Sequence, residues 1–385
     1  MGGREWVLTA VLALSAASRC RAFDELAFLG RLQLVHAVFR NGARAPIVTY
    51  PEDNFTEDKW GTKWGHLTQL GREQQYDLGC YLRKRYADFL PLVYKDDDVL
   101  VRSCDSDRVL DSASLVMRGL YTPQLADGEF IHVFWQSVPV HTVPEEIDLL
   151  LPKFVSPCPA FQAELDKLNK STEYQSFRNL MTYLDEFSKS ISGLSALDLH
   201  DVLKCKQYHG VPLPGWSREV FPEPSSSNYD WHVFFSVGST APIRRMITGR
   251  LVEDILEHMD MKINGNSESC KKLYAYSAHD YNLVALLSAL NVWEGKEPCF
   301  SSCVLIELRL NNYNEHVVTV SYKNSTSEPP QVLQVPGCRS IACPYHEFVA
   351  ALSSEMYGES ECYGMPEVPQ HPTFPHPNIR FGPSL

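Results

Sequence analysis

Three segments of the sequence place arginine, histidine or aspartate side chains directly after an apolar run. Arg40 and Arg44 stand in "VFRNGARAPIV", Arg102 follows "DVLV", and His279 and Asp280 follow "LYAYSA". A guanidinium is permanently charged, planar and suited to paired hydrogen bonds with phosphate oxygens, and several crowded together are unfavourable without an anion between them. The sequence therefore predicts a phosphate-binding pocket. In such a pocket the aspartate can act as general acid and the histidine can hold the transferring oxygens.

The elements that must position these side chains are buried strands. Residues 32–39, 99–102 and 273–278 are apolar and of strand length, and each run ends where the polar side chains begin. Helical patterns follow the strands, such as residues 67–90, and this alternation is typical of parallel α/β architecture. Ligands in such sheets bind beyond the carboxyl ends of the strands. A later segment, residues 303–323, predicts an antiparallel hairpin with an Asn-rich turn.

The domain organisation follows from where this alternation is interrupted. Residues 145–231 show helical patterns broken by "HGVPLPGW" and no clear strand, so we interpret them as a mostly helical cap inserted into the fold. The α/β core is then predicted to consist of residues 23–144 and 232–365. Residues 366–385 form a proline-rich tail.

The beginning of the chain predicts a secretory route. Residues 1–22 have a basic start at Arg4 and an apolar run over residues 6–17 that is too short to span a bilayer, which is the layout of a signal peptide. No later segment is apolar and uncharged over the length of a membrane span, so we expect a secreted or lysosomal luminal protein without a membrane anchor. Three N-x-S/T glycosylation sequons agree with this route: Asn54, Asn169 and Asn324.

Composition excludes several classes of function. The 385 residues are 44% hydrophobic, which is ample for a core, and the formal net charge of -12 with a pI near 5.6 disfavours general binding to nucleic acid or anionic lipid. Of 11 cysteines, Cys20 lies in the predicted signal peptide and leaves an even number, so disulfides are expected in an oxidising compartment. Their spacings give no zinc pattern, and we predict neither a metal nor another cofactor.

Five segments resemble, in order, one known family. They are "RNGARAP", "HLTQLGREQQYDLGCYLRKRY", "VRSCDSDRVLDSA", "WQSVPVHTVP" and "YSAHD". They are similar to the histidine acid phosphatases of the lysosomal and prostatic type, over roughly residues 30–362. The resemblance implies a histidine-phosphatase-like α/β fold, with a mainly parallel sheet flanked by helices and an inserted helical cap. It also implies hydrolysis of phosphomonoesters at acid pH without a metal, and a homodimer.

The sequence departs from the family at its first motif. The family has R-H-G-x-R-x-P, whose histidine attacks phosphorus, and Asn41 stands at that place here. An amide nitrogen shares its lone pair with the carbonyl and is not a useful nucleophile. His36 is nearby but lies inside the predicted strand, where we expect it to pack. Cys104 and Tyr281 also depart from the family's usual threonines and can reshape the pocket. The other motif positions match: Arg40, Gly42, Arg44, Pro46, Arg102, His279 and Asp280.

These observations leave three functions open. The first is a catalytically impaired phosphatase-fold protein that binds phosphate, a phosphorylated small molecule or a phosphoprotein. The second is an active acid phosphatase with an unrecognised nucleophile or direct attack by water. The third is a non-catalytic glycoprotein that binds a protein partner, although a pocket not used for anions has no physical reason to confine three positive charges. Taken singly, Asn41-Gly42 would be an ordinary turn and His279-Asp280 a helix cap.

The resemblance also implies a disulfide pattern. The implied pairs are Cys158–Cys362, Cys205–Cys303 and Cys338–Cys343. Four cysteines stay outside this scheme: Cys80, Cys104, Cys270 and Cys299.

Overall fold

The fold is built on one central sheet. The computed structural model of the chain describes residues 26–121, 136–153, 158–265, 270–358 and 362. Within these ranges the sheet has the strand order β3-β2-β4-β1-β5-β6-β7, with β8 paired to β6. The strands are β1 (Arg31–Arg40), β2 (Val99–Ser103), β3 (His141–Thr142), β4 (Leu273–Ala278), β5 (Cys303–Leu310), β6 (His316–Lys323), β7 (Gln331–Leu333) and β8 (Cys343–Pro344).

The sheet has a parallel half and an antiparallel half. Strands β1 to β4 run parallel to one another, whereas β5 pairs antiparallel with β1 and continues into the β5–β6 hairpin that the sequence predicts. The sheet is therefore mixed. The expected parallel arrangement is present in β1 to β4, the strands that alternate with helices along the chain. A hairpin returns antiparallel because its short turn cannot carry the chain back across the sheet.

Helices cover both faces of the sheet, which confirms the predicted α/β class. On one face Leu78 and Val116, from two successive helices, pack against Val35 and Phe39 of β1. On the other face the core includes Leu34 and Val38 of the same strand. The helices are α1 (Glu57–Trp60), α2 (Gln69–Arg85), α3 (Asp107–Leu120), α4 (Pro159–Asn169), α5 (Thr172–Ser192), α6 (Ala196–Tyr208), α7 (Ser225–Val237), α8 (Ala241–Arg244), α9 (Arg250–Ile263), α10 (Asp280–Ala289) and α11 (Tyr345–Leu352).

The regular secondary structure described between β3 and β4 is entirely helical, with turns and loops between the helices. Helices α4 to α9 lie in this stretch, and within its described residues there is no strand. The predicted boundary between residues 231 and 232 falls inside α7, so the division into core and cap remains a prediction. In the described ranges no helix is long and apolar enough to cross a membrane. The predicted signal peptide, residues 1–22, and the proline-rich segment, residues 366–385, lie outside the described residues.

Two of the implied disulfides are present and one is not. The structure contains Cys158–Cys362 and Cys338–Cys343. Cys205 and Cys303, the third implied pair, are both buried free thiols. The two thiols lie in different apolar clusters. Cys303 packs under α2 with Phe39, whereas Cys205 packs with Ala43 and Phe300. A disulfide requires the two Cβ atoms to face each other within about 4.5 Å. The four cysteines left outside the scheme are also free: Cys80, Cys104, Cys270 and Cys299.

Candidate functional site

The site lies where three parallel strands end. Arg40, the last residue of β1, is in register with Ala278, the last residue of β4, and Ser103 of β2 is in register with Ser277. The backbone N–H of Asn41 donates to the carbonyl of Ala278 at 3.1 Å. The loop after β1 and the start of α10 therefore adjoin at one edge of the sheet, as the sequence predicts.

Helices α2 and α3 fix the backbone of residues 41–44. The N–H of Gly42 donates to Ser112 Oγ at 3.2 Å, and the N–H of Ala43 donates to Gln74 Oε1 at 3.0 Å. The loop also touches the first turn of α2, where a Cβ added to Gly71 would lie 1.9 Å from the carbonyl oxygen of Ala43. Only glycine permits this approach, so the loop conformation depends on the packing of α2.

Arg40 is held by two carboxylates. Its Nη2 lies 2.8 Å from Asp280 Oδ2 and its Nη1 lies 2.7 Å from Glu297 Oε1, while the guanidinium carbon sits 4.2 Å above the centre of the Phe300 ring. Burial alone would lower the pKa of Arg40, but the two carboxylates outweigh it and hold that pKa above its usual value. Arg40 is thus fixed in orientation and fully compensated in charge.

Arg44 is paired with a carboxylate from α6. Its two terminal nitrogens lie 2.8 and 3.2 Å from the two oxygens of Asp201, and the N–H of Ile47 donates to the same carboxylate at 3.0 Å. Burial would raise the pKa of Asp201, but the positive charge of Arg44 and its hydrogen bond lower it. The edge of the Arg44 guanidinium that would bind an external anion is therefore already paired with the Asp201 carboxylate.

The structure assigns different places to Arg102 and Arg108. Arg102, predicted to line the pocket, instead pairs at 2.6 Å with Asp148, which is 2% exposed and also accepts the N–H of Leu151. Its contacts fasten β2 to the segment after β3. Arg108, in the first turn of α3, directs Nη2 at His279 Nδ1 over 3.4 Å. Among the described residues, Arg108 forms no ion pair with a carboxylate.

Sequence reasoning missed Arg108 because its segment predicts a helix, and a charged residue in a first helical turn is usually solvated. A signal was nevertheless present. Arg108 belongs to the same "VRSCDSDR" segment as Arg102, and the helix it opens begins at the edge of the sheet where the other polar groups lie. Arg102 and Arg108 differ in the direction that their elements give to the side chain. The side chain of Arg102, a strand residue, can point away from the end of β2, whereas the first turn of α3, with Arg108, lies over that end.

His279 occupies the N-cap position of α10. Its backbone N–H donates to Asn282 Oδ1 at 3.0 Å, and the ring of Tyr281 stacks on its imidazole with centroids 5.0 Å apart. Burial lowers the pKa of His279 well below its usual value, and the charges of Arg108, Arg44 and Arg40 lower it further. A neutral imidazole that accepts from Arg108 through Nδ1 carries its proton on Nε2, which can then donate to an oxygen of a bound anion.

Asp280 follows as the first residue of α10. Besides Arg40, its carboxylate accepts the hydroxyl of Tyr229 at 3.3 Å and the N–H of Tyr281 at 2.8 Å. The aspartate predicted to act as general acid is therefore at the site, next to His279. Its carboxylate thus has three donors around it at the N-terminus of α10: the Arg40 guanidinium, the Tyr229 hydroxyl and the Tyr281 N–H.

Asn41 lies among these groups and is 3% exposed. Its Nδ2 donates to the carbonyl of Gly42 at 2.9 Å, and its own carbonyl accepts the N–H of Ser301. The side chain closes a hydrogen bond within the loop and offers no nucleophilic atom. In the part of the chain that the structure describes, no three His, Cys, Asp or Glu side chains are grouped so as to hold a metal ion.

Comparison with known proteins agrees with this geometry. Residues 31–323 match the family described as the histidine phosphatase superfamily, branch 2. The chain belongs to that superfamily.

Among its relatives is the prostatic acid phosphatase of Homo sapiens, which is 37% identical over 336 residues, covering 84% of this chain and 86% of that protein. The lysosomal acid phosphatase of Xenopus laevis is 34% identical over 329 residues, covering 83% of this chain and 76% of that protein. Among solved structures, the apo form of Hafnia alvei phytase has a TM-score of 0.60 at 16% identity and covers 87% of this chain and 98% of that chain. That likeness concerns the fold.

Proposed function

We propose that this protein is a catalytically impaired member of the histidine phosphatase superfamily that binds phosphate or a phosphorylated ligand. One observation carries the proposal. Arg108 and His279 direct hydrogen-bond donors to the edge of the sheet where Arg40 and Arg44 also lie, while Asn41 stands at the place of the family's nucleophile. An anion-binding pocket is retained, and the group that would attack phosphorus is missing.

The missing step is the formation of a bond between nitrogen and phosphorus. In the family's reaction an imidazole nitrogen attacks phosphorus, the bond to the leaving-group oxygen breaks, and an acid protonates that oxygen. The lone pair of the Asn41 amide is delocalised into its carbonyl, so the first bond does not form. Loss of a nucleophile costs on the order of 10⁴- to 10⁶-fold in turnover, and the remaining donors leave a small residual rate over water.

The ligand is inferred from the charges of the pocket. Arg40 and Arg44 are compensated by internal carboxylates, so Arg108 and the neutral His279 are the groups best placed to bind a phosphate. The relatives are named acid phosphatases, which supports a phosphomonoester, small or attached to a protein, as the ligand.

The proposed location is the lysosomal lumen or the extracellular space. The names of the relatives support it, as do the sequons, since Asn54 and Asn324 are exposed and Asn169 is the half-buried last residue of α4. Glycosylation at these asparagines and a homodimer remain predictions. Mass spectrometry of the secreted protein before and after glycosidase treatment tests the first, and sedimentation tests the second.

Calorimetric titration with phosphate or vanadate at pH 5 tests the proposal. Wild-type protein should bind. Arg108→Ala should bind about 10- to 100-fold more weakly, as expected for loss of a charge-assisted hydrogen bond of about 1.5–3 kcal/mol. The matched control is Arg72→Ala, which removes an exposed arginine from the first turn of α2 and should leave affinity unchanged. Absence of phosphate binding by the wild type would refute the pocket, and rapid hydrolysis of an aryl phosphate would refute the impairment.

A further inference from the structure

A row of aromatic rings lies across helices α5 and α7. Neighbouring ring centroids are between 4.7 and 5.9 Å apart, with the buried Phe235 linking the rings of the two helices. The most exposed ring of the row, Trp231, is 48% exposed, and the others are half-buried. We call this row the aromatic strip, and it consists of Tyr174, Phe177, Trp231, Phe234 and Trp293.

The arginine and histidine side chains of the site do not contact this strip, although its Trp293 lines one cavity together with Asp280 and Glu297. None of its five rings contacts Arg40, Arg44, Arg108 or His279 among the hydrogen bonds and ring contacts of the described residues. Single exposed apolar side chains are ordinary, but a contiguous row of large rings at a surface is typical of a binding site. Rings in a row suit a ligand with regularly spaced apolar groups.

The sequence beyond Cys362 has such a spacing. Pro366, Pro369, Pro372 and Pro375 recur at every third position in "PEVPQHPTFP". A polyproline II helix has three residues per turn, so these four rings would lie along one edge of it. At about 3.1 Å per residue, the stretch from the first to the fourth proline would be about 28 Å long.

The described residues end at Cys362, in an apolar cluster that one end of the strip contacts. Cys362 is disulfide-bonded to Cys158 and is buried in an apolar cluster with Val233 and Val237 of α7. Trp293, one end of the strip, packs against that same cluster. Three residues separate Cys362 from Pro366, and they can span about 10 Å. The tail therefore starts from the same apolar cluster that Trp293 contacts, four residues before the first proline.

We propose that residues 366–375 bind to the aromatic strip as a polyproline II helix, with the proline rings packed on the aromatic faces. This recognition mode gains affinity because the proline-rich ligand loses little entropy on binding. The association is intramolecular because the segment belongs to the same chain, and the disulfide fixes where the segment starts. At an effective concentration on the order of millimolar, a contact that is weak between separate molecules is populated in the intact chain. The strip's occupant is thus a segment of the same chain.

Hydroxyl-radical footprinting with mass spectrometry tests the proposal on the full chain. The comparison is between wild type and a variant in which the four prolines are replaced: Pro366→Ser, Pro369→Ser, Pro372→Ser and Pro375→Ser. Oxidation of Trp231 should be at least threefold faster in the variant. The controls are Tyr183 and Tyr313, which are 65% and 86% exposed outside the strip and should be oxidised equally in both proteins.

The reciprocal variant separates the contact from other effects. Trp231→Ala should speed oxidation of Phe374, which lies between the third and fourth prolines, while the melting temperature reports whether the fold is intact. Equal oxidation of Trp231 in wild type and the four-proline variant would overturn the proposal. So would protection of Trp231 that rises with protein concentration and persists in the variant, because the strip would then be covered by a second copy of the chain.

Discussion

At the scale of single residues, internal carboxylates already pair with the guanidinium groups of Arg40 and Arg44. Asp201 uses both oxygens on Arg44, in the geometry that a phosphate would use. The carboxylate is partly accessible, since its side chain is 20% exposed. A phosphate that approaches Arg44 must therefore share it with Asp201 or displace that carboxylate.

Asp201→Asn should strengthen phosphate binding. The substitution keeps an oxygen for the N–H of Ile47 but removes the negative charge that compensates Arg44. Without phosphate the variant should be less stable by about 3–5 kcal/mol, the usual cost of leaving a buried charge unpaired. Phosphate should bind several-fold more tightly and recover part of that loss through linkage. Urea unfolding with and without phosphate measures both effects.

A matched control uses another buried pair of α6. Asp53→Asn leaves Lys206 without its partner at 2.6 Å and should destabilise the protein similarly, with unchanged phosphate affinity. Equal phosphate affinity of wild type and Asp201→Asn would show that Arg44 takes no part in anion binding.

The residues of the site were predictable only in part. Arg40, Arg44, His279 and Asp280 follow strands that the apolar runs reveal, so their meeting at one edge could be predicted. Their partners could not. Asp201 and Glu297 reach the arginines from segments more than 150 residues away along the chain, and no local pattern encodes that contact. Arg108 was missed for a related reason, since its helix placement conceals which way its side chain points.

At the scale of elements, the loop of residues 41–44 is shaped by one close contact with α2. Gly42 and Gly71 approach so closely that a Cβ on the first would lie 2.3 Å from the carbonyl oxygen of the second. Thr68 is the N-cap of α2, and its side chain accepts the N–H of Gly71. The helix start and the loop therefore share one rigid junction.

Gly71→Ala should disturb this junction. The added methyl group would meet the backbone of Ala43, so α2 or the loop must shift, at a cost of about 1–3 kcal/mol or more. Phosphate affinity should fall as well, because the loop carries Arg44 and directly follows Arg40. The control is Gly215→Ala, where an added Cβ meets nothing within 4 Å and stability should change by less than about 1 kcal/mol. Denaturant unfolding and phosphate titration of both variants measure this, and unchanged affinity in Gly71→Ala would contradict the expected coupling.

The strands themselves show what a sequence pattern can and cannot specify. The run at residues 273–278 predicts a strand with the bounds that the structure has for β4 (Leu273–Ala278). The hairpin of β5 and β6 could also be predicted, because its period and turn are local. The position of this hairpin beside β1 could not be predicted, because strand order depends on which apolar faces meet after collapse. The sequence pattern therefore did not reveal that the sheet is mixed.

At the scale of the whole molecule, acid conditions act on buried histidines. His36 lies fully buried in β1 and stacks on Tyr274 with ring centroids 5.3 Å apart. Its two ring nitrogens have no hydrogen-bond partner among the described residues. Burial lowers the pKa of His36 well below its usual value, and His258 lowers it further. The folded state therefore binds fewer protons than the unfolded state below pH 6.5. The stability that this neutral ring contributes is present above pH 6.5 and is lost as the pH falls.

His36→Phe should make stability less dependent on pH. The variant keeps an aromatic ring and removes a group that the unfolded chain protonates, so about 2 kcal/mol of the loss between pH 7 and pH 5 should disappear. Free energies of unfolding in urea at the two pH values measure it. An unchanged loss in the variant would mean that the imidazole is protonated in the folded protein, against the pKa direction that its burial dictates.

The measurement that tests the central claim most directly is the turnover of Asn41→His on a simple aryl phosphate near pH 5. If only the nucleophile is missing, the pocket of Arg40, Arg44, Arg108 and His279 should support at least ~10³-fold more activity in this variant than in the wild type. Asn41→Gln, which restores size without a nucleophile, should remain as inactive as the wild type. A folded, phosphate-binding Asn41→His protein with no gain, or a wild type that already turns over rapidly, would contradict the account.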